Sequence, residues 1–230
     1  MEWSFILAIL SKLGFHPTWI NWVRICISSP YFSILINGSP FGLFSPKRGL
    51  RQRDPLSPFL FILGTKVLSC LLIRQESQDR LKGMKITRSC APISHLLFAD
   101  DLILFAKAMS SEAVILNSCL GLYCCWSGQA INISKSLIHF NKNTAPSTIN
   151  SISGIFPFKR TSISSKYLGL PLFFGKSKSA AFKYILEKVS GKIEGWRAKT
   201  LSQAGRTVLI KLVATTIPFY VMSSFCCQFL

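Results

Sequence analysis

Ser94-His95-Leu96-Leu97-Phe98-Ala99-Asp100-Asp101-Leu102-Ile103-Leu104-Phe105-Ala106 decides how the rest of the chain is read. An apolar run enters a small residue and two adjacent carboxylates, and a second apolar run leaves. Runs of this length around a tight polar pair predict the two strands of a hairpin, with the aspartates in the turn. Side chains alternate across a strand, so Asp100 and Asp101 diverge, one facing a site and one flanking it. Two like charges at a hairpin tip repel unless a cation lies between them or water screens them. Hard oxygen ligands in this number suit Mg²⁺ shared with substrate phosphates. The alternative is an ordinary turn, where Asp is common because its side chain bonds its own backbone. Scarcity weighs against that alternative: of nine Asp and Glu, set against 27 Lys and Arg, two stand side by side between apolar runs.

The 230 residues are enough for one large domain or two small ones, with a sizeable core. Apolar residues make up 49%, including 18 Phe and 5 Trp, which argues against disorder. A formal charge of +18 and a pI near 9.9 call for a polyanionic partner, nucleic acid before an anionic membrane surface. The eight Cys form no CxxC, and His16, His95 and His139 are scattered among apolar neighbours, so zinc is not expected. The cysteines read as small buried residues of a reducing compartment. The N-terminus lacks the basic region of a signal peptide, and an intracellular location, nucleus or cytoplasm, is expected. Leu212 to Leu230 is uncharged and nearly long enough to span a bilayer. Pro218, Ser223, Ser224 and Gln228 interrupt it, which favours a buried terminal helix pair over a membrane segment.

Outward from the hairpin, the spacing of Trp3, Phe5, Ile6, Ile9, Leu10 and Leu13 predicts a helix over 2–13, stopped by Gly14. Pro17 opens a second helix to about Ser28. Tyr31 to Ile36 and Phe41 to Phe44 flank Asn37-Gly38, a strong hairpin signal. A basic loop follows, with Lys47, Arg48, Arg51 and Arg53 close together. Asp54-Pro55 predicts an N-cap and first turn for an apolar helix through Leu72. A basic loop feeding a helix N-terminus suits anions. Met84 to Thr87 is expected to be a short strand. Ser110 or Ser111 caps a helix to Ser127, with Gly128 as its stop. Leu137 to Phe140 is expected to be a strand, Asn141 to Ser153 a surface loop, and Tyr167 to Leu172 an extended turn-forming piece. From Lys159 to Lys199 ten basic residues face two acidic ones, Glu187 and Glu194. Helices are expected over 180–196 and 203–215, and a domain boundary near Gly175.

Four pieces in this order carry a resemblance: Ser45-Pro46-Lys47-Arg48-Gly49-Leu50-Arg51-Gln52 with Asp54-Pro55-Leu56-Ser57-Pro58, then Phe98-Ala99-Asp100-Asp101, then Asn132 to Ser136, then Tyr167-Leu168-Gly169. Together they resemble the palm and partial thumb of the reverse transcriptases of plant non-LTR (LINE-type) retrotransposons, over nearly the whole chain. The resemblance implies an α+β fold: a right-hand polymerase palm, an antiparallel sheet with packed helices, over residues 1–175, and a helical thumb or connection segment over 176–230. It implies RNA-templated DNA synthesis, with Asp100 and Asp101 as catalytic metal ligands for Mg²⁺, Mn²⁺ being able to substitute. Arg48, Gly49, Arg51, Gln52, Pro55, Phe98 and Ala99 are then nucleotide- and template-binding residues. Lys135 matches a lysine near the incoming triphosphate, a candidate proton donor to pyrophosphate. Tyr167, Leu168 and Gly169 match the primer grip. The implied partners are an RNA template, a DNA primer and a deoxynucleoside triphosphate.

Two departures from the family pattern shape the expectation. The family carries a further metal-binding aspartate in a strand before the helix that begins here at Glu2-Trp3, and that strand and the fingers are expected to be missing. Glu2, Asp54, Glu76, Asp79, Glu112, Glu187 and Glu194 sit at helix ends, on helices or in loops, and none replaces it. The isolated chain is therefore expected to lack polymerase activity. Arg53 also stands where the family has Gly, which permits close backbone approach or an unusual dihedral. A basic nucleic-acid-binding remnant without chemistry is the second reading. A membrane-associated protein, prompted by the apolar C-terminus and a mean hydropathy of +0.37, is the third.

Overall fold

In a computed structural model of the chain, which describes residues 1–161, 166–171, 178–197 and 202–225, the first apolar stripe forms α1 (Trp3–Lys12) and buries Ile6 and Leu10. Gly14 ends it with a φ of 81°, a left-handed conformation that glycine adopts without a Cβ penalty. Pro17, whose fixed φ suits a first helical turn, opens α2 (Pro17–Ser28). Asn37 and Gly38, at φ 49° and 84°, form the tight turn between β1 (Phe32–Ile36) and β2 (Ser39–Phe44). Two successive positive φ values match the strand twist, which is why Asn-Gly suits this position.

The central element is α3 (Ser57–Ser77). Leu60 joins Ile6, Leu10 and Val23 in one apolar cluster, edged by Trp3, Trp19 and Leu56. Leu68 and Leu72, two and three turns on, enter a larger cluster with Leu81, Leu116, Leu120 and Tyr123. One helix thus serves both cores, and each fully buried Leu stabilises the fold by roughly 1.5–3 kcal/mol. Among the described helices α3 alone is long and apolar enough to cross a membrane, with mean hydropathy 1.5. It packs between α1 and α4 (Ser110–Ser127). Between α3 and α4 in chain order come β3 (His95–Phe98) and β4 (Asp101–Leu104), an antiparallel pair.

Several local expectations are corrected. Asp54 does not cap α3: it stands two residues before the N-cap position, which Leu56 holds, and its carboxylate accepts the Leu56 N–H at 2.8 Å. Neither Ser110 nor Ser111 caps α4; Met109 is its N-cap. Met84 to Thr87 is reduced to a single bridge, Met84 to Ile93. Residues 141–153 are not simply a loop: α5 (Pro146–Ile155) buries Ile152. Its Ser, Thr and Asn obscure the isoleucines at 149, 152 and 155, which keep helical spacing. The expected strand at Leu137 is shorter: β5 (Leu137–Ile138) pairs in parallel with β6 (Lys159–Arg160). Gly128 does end α4, in the left-handed conformation.

The described residues divide into two units, Met1–Arg160 and Thr161–Leu230, and Gly175 lies outside the described residues. In the second unit β7 (Lys166–Tyr167) and β8 (Leu170–Pro171) form a small hairpin. The basic α6 (Lys178–Arg197) follows. Then come α7 (Gln203–Leu209), a π-helical turn (Ile210–Ala214) and α8 (Thr216–Phe225). The apolar run from Leu212 is therefore broken within the described residues, and 226–230 lie outside them. The described strands form four separate two-stranded sheets.

Candidate functional site

Phe98 pairs with Asp101, so the β3–β4 loop is only Ala99 and Asp100. Asp100 thus sits in the turn, whereas Asp101 begins β4; the sequence expectation placed both in the turn. Ala99 has φ 50° and Asp100 does not share the positive sign, the sign pattern of a type II′ turn. That turn normally takes Gly first, so Ala99 is strained. Asp100, Asp101 and Phe98 are exposed at the tip. The root of the hairpin is held more firmly. Leu102 and Leu104 pack on the larger core, and the Phe105 N–H donates to Ser94 O at 2.7 Å.

Carboxylates open to solvent are the ligand type that Mg²⁺ shares with phosphate oxygens. Asp100 and Asp101 do not complete a larger metal site: among the described residues no group of three His, Cys, Asp or Glu could hold a metal. Of the other carboxylates of this unit, Glu2, Asp54 and Asp79 lie against Arg48, Arg51 and Lys82, while Glu76 has a buried Oε1 with no hydrogen-bond partner. Glu112, 5% exposed, accepts the N–H of Lys82 at 3.2 Å and of Lys107 at 3.0 Å. It stitches the segments before β3 and after β4 to the first turn of α4, where the helix dipole favours an anion. Sequence reasoning set Glu112 aside, although a lone acid at a helix start in so basic a chain was a usable signal.

The basic loop lines a separate cleft of about 180 Å³ with Cys26, Ile27, Arg48, Gly49, Arg51 and Asp54 among its walls. Gly49, at φ 90°, is clamped: its N–H donates to Met1 O at 2.8 Å and its carbonyl accepts the Trp3 indole N–H at 2.7 Å. Arg51 is tied to Asp54 at 3.0 Å, and Arg48 lies 3.6 Å from Glu2. Gln52, Pro55, Phe98 and Ala99 are not in that lining, and neither aspartate of the hairpin is. Arg53 is exposed with φ 63°, which gives a physical reason for a glycine at its position.

Lys135 is exposed on a turn organised by Asn132, whose carbonyl accepts the Lys135 and Ser136 N–H groups and whose side chain accepts the Ser134 hydroxyl at 2.7 Å. Leu168 and Gly169, at φ 51° and 80°, form the two-residue turn after Tyr167. The Tyr184 hydroxyl donates to Gly169 O at 3.3 Å. These three residues lie in the second unit, apart in sequence from the others.

No protein-family model matches the chain. It is 56% identical over 71 residues, 31% of its length, to an uncharacterized mitochondrial protein of Arabidopsis thaliana. It is 28% identical over 225 residues, 94% of its length, to the transposon TX1 uncharacterized 149 kDa protein of Xenopus laevis. It is 32% identical over 99 residues, 43% of its length, to the retrovirus-related Pol polyprotein from type-1 retrotransposable element R2 of Popillia japonica. The chain spans 58%, 16% and 15% of these relatives. It is similar to retroelement proteins, which supports a retroelement origin. Similarity over 94% of the chain to a transposon protein carries that statement, and the Pol polyprotein match agrees with it.

Proposed function

We propose that the chain is the palm and partial thumb of a LINE-type reverse transcriptase, with Asp100 and Asp101 as its metal-binding carboxylates. The observation that supports this most is the strained two-residue turn that leaves two adjacent carboxylates exposed at the tip of a core-anchored hairpin, in a chain similar to retroelement proteins. Bound there, Mg²⁺ would activate a primer 3′-hydroxyl and stabilise the leaving oxygen. The remaining roles belong to the chain's own residues. Arg48 and Arg51 meet phosphate or template backbone at the basic cleft. Gly49, with no Cβ, leaves that backbone room. Lys135, on its exposed turn, holds the place of the lysine that in a complete enzyme would give a proton to the departing pyrophosphate. Tyr167, Leu168 and Gly169 hold the primer end.

Because no third carboxylate among the described residues joins Asp100 and Asp101 in a metal-holding group, these groups bind rather than catalyse in the chain by itself. The test is a pair of assays on the full chain with an RNA template and DNA primer. Binding is expected, weakening steeply with salt as counterions compete for the phosphates. No primer extension is expected in Mg²⁺ or Mn²⁺. Extension abolished by Asp100→Asn would overturn the non-catalytic part, and failure to bind at low salt would overturn the whole reading.

A further inference from the structure

At its far end the hairpin that carries Asp100 and Asp101 meets α3 through a polar contact of His95, apart from the Glu112 bonds that tie the flanking segments to α4. His95 opens β3, opposite Leu104. Its Nδ1 lies 2.8 Å from the Ser94 hydroxyl, and its Nε2 lies 2.8 Å from the hydroxyl of Ser69 on α3. Both serines are buried, and among the described residues neither hydroxyl makes a further hydrogen bond. A neutral imidazole has one N–H and one lone pair, so one serine donates to the ring and the other accepts from it. An imidazolium has two N–H groups and no lone pair. Protonation therefore reverses the serine-to-ring bond: the new ring N–H donates to that hydroxyl oxygen, and the buried hydroxyl's own hydrogen is left without its acceptor, at a cost set by its burial.

The charged groups acting on His95 are Glu76 and Lys66, both on α3 and opposite in sign, while the strand across from it presents Leu104. Burial lowers the His95 pKa below its ordinary 6.5; Glu76 opposes this and Lys66 reinforces it. The unfolded chain takes up the proton at the ordinary value and the folded chain resists it. The contribution of this contact is therefore complete above 6.5 and is lost as pH falls below it.

We propose that His95 is a positioning residue for the Asp100–Asp101 tip: while neutral it pins β3 to α3 through Ser69, and when protonated it lets the hairpin loosen. The consequence for metal binding rests on the function proposed above; the pin itself rests on the geometry alone. Amide hydrogen exchange on the full chain at pH 7.5 and 5.5, corrected for intrinsic rates, tests it. The Phe105 amide, which bonds Ser94 O across the hairpin root, should lose roughly three- to tenfold protection at the lower pH. The amides of Leu116 and Leu120 in α4 should not. His95→Gln should make hairpin protection independent of pH in this range. If that variant does not fold, Ser69→Ala removes the α3 anchor and keeps the ring, and it should lower hairpin protection at pH 7.5 while sparing α4. Equal changes in hairpin and α4, or a wild-type pH response in His95→Gln, would overturn the proposal. Mn²⁺ binding measured alongside separates the two readings: acid-labile protection without any Mn²⁺ binding supports the pin and counts only against the metal site.

Discussion

Arg53 shows how far a single residue can be read. Its place beside Asp-Pro-Leu-Ser-Pro marks it as a departure from a glycine, and the structure supplies the dihedral that makes glycine fit, φ 63°. A side chain in this region costs roughly 1–2 kcal/mol, and glycine gives back about half of that gain through its freer unfolded chain. Arg53→Gly should therefore stabilise the chain by about 0.5–1 kcal/mol in urea unfolding. An unchanged or lower midpoint at constant slope would contradict it. His95 marks the limit at the same scale. A histidine between a serine and an apolar run carries no visible sign that a serine 26 positions earlier will meet its ring. Its pairing depends on how α3 packs, which is not a local property.

At the scale of elements, turn chemistry was legible and side-chain reach was not. Pro17, Asn37-Gly38, Gly128 and Leu168-Gly169 each demand a local backbone conformation, and each marks a boundary or turn as read. Asp54 and Ser110 offered equally good capping chemistry, yet their helices start at Ser57 and after Met109. Neither helix has a side-chain cap, and residue types alone leave the starting residue open. α5 was hidden because its polar residues face solvent and only Ile152 is fully inside. The parallel β5–β6 pair joins segments about twenty residues apart with no turn signal between them. Glu112 is the element-scale contact with the largest expected effect, because one buried carboxylate satisfies two backbone donors from different loops. Glu112→Ala leaves both without that acceptor and should cost about 2–4 kcal/mol in thermal or urea unfolding. Glu112→Gln keeps an acceptor oxygen and should cost less than half as much. Equal losses for the two variants would show that volume, not hydrogen bonding, matters there.

For the whole molecule, the charge of +18 and the exposed carboxylate pair are complementary parts of one reading. In the proposed function the basic surface would attract a polyanion, and the two aspartates would be an acidic exception that a shared cation reconciles with phosphate. The sequence carried this much because Asp-Asp between apolar runs is a local pattern. It did not show that the basic cleft is walled by Arg48, Gly49 and Arg51 without the hairpin, since that depends on how α1, α2 and α3 assemble. The central claim is that the tip holds a divalent cation together with nucleotide phosphate. The most direct measurement is Mn²⁺ electron paramagnetic resonance on the full chain with a deoxynucleoside triphosphate and primer–template present. The account predicts protein-bound Mn²⁺ that is lost in the Asp100→Asn, Asp101→Asn double variant, with nucleic-acid binding retained. Equal Mn²⁺ binding by the double variant and the parent chain would contradict it.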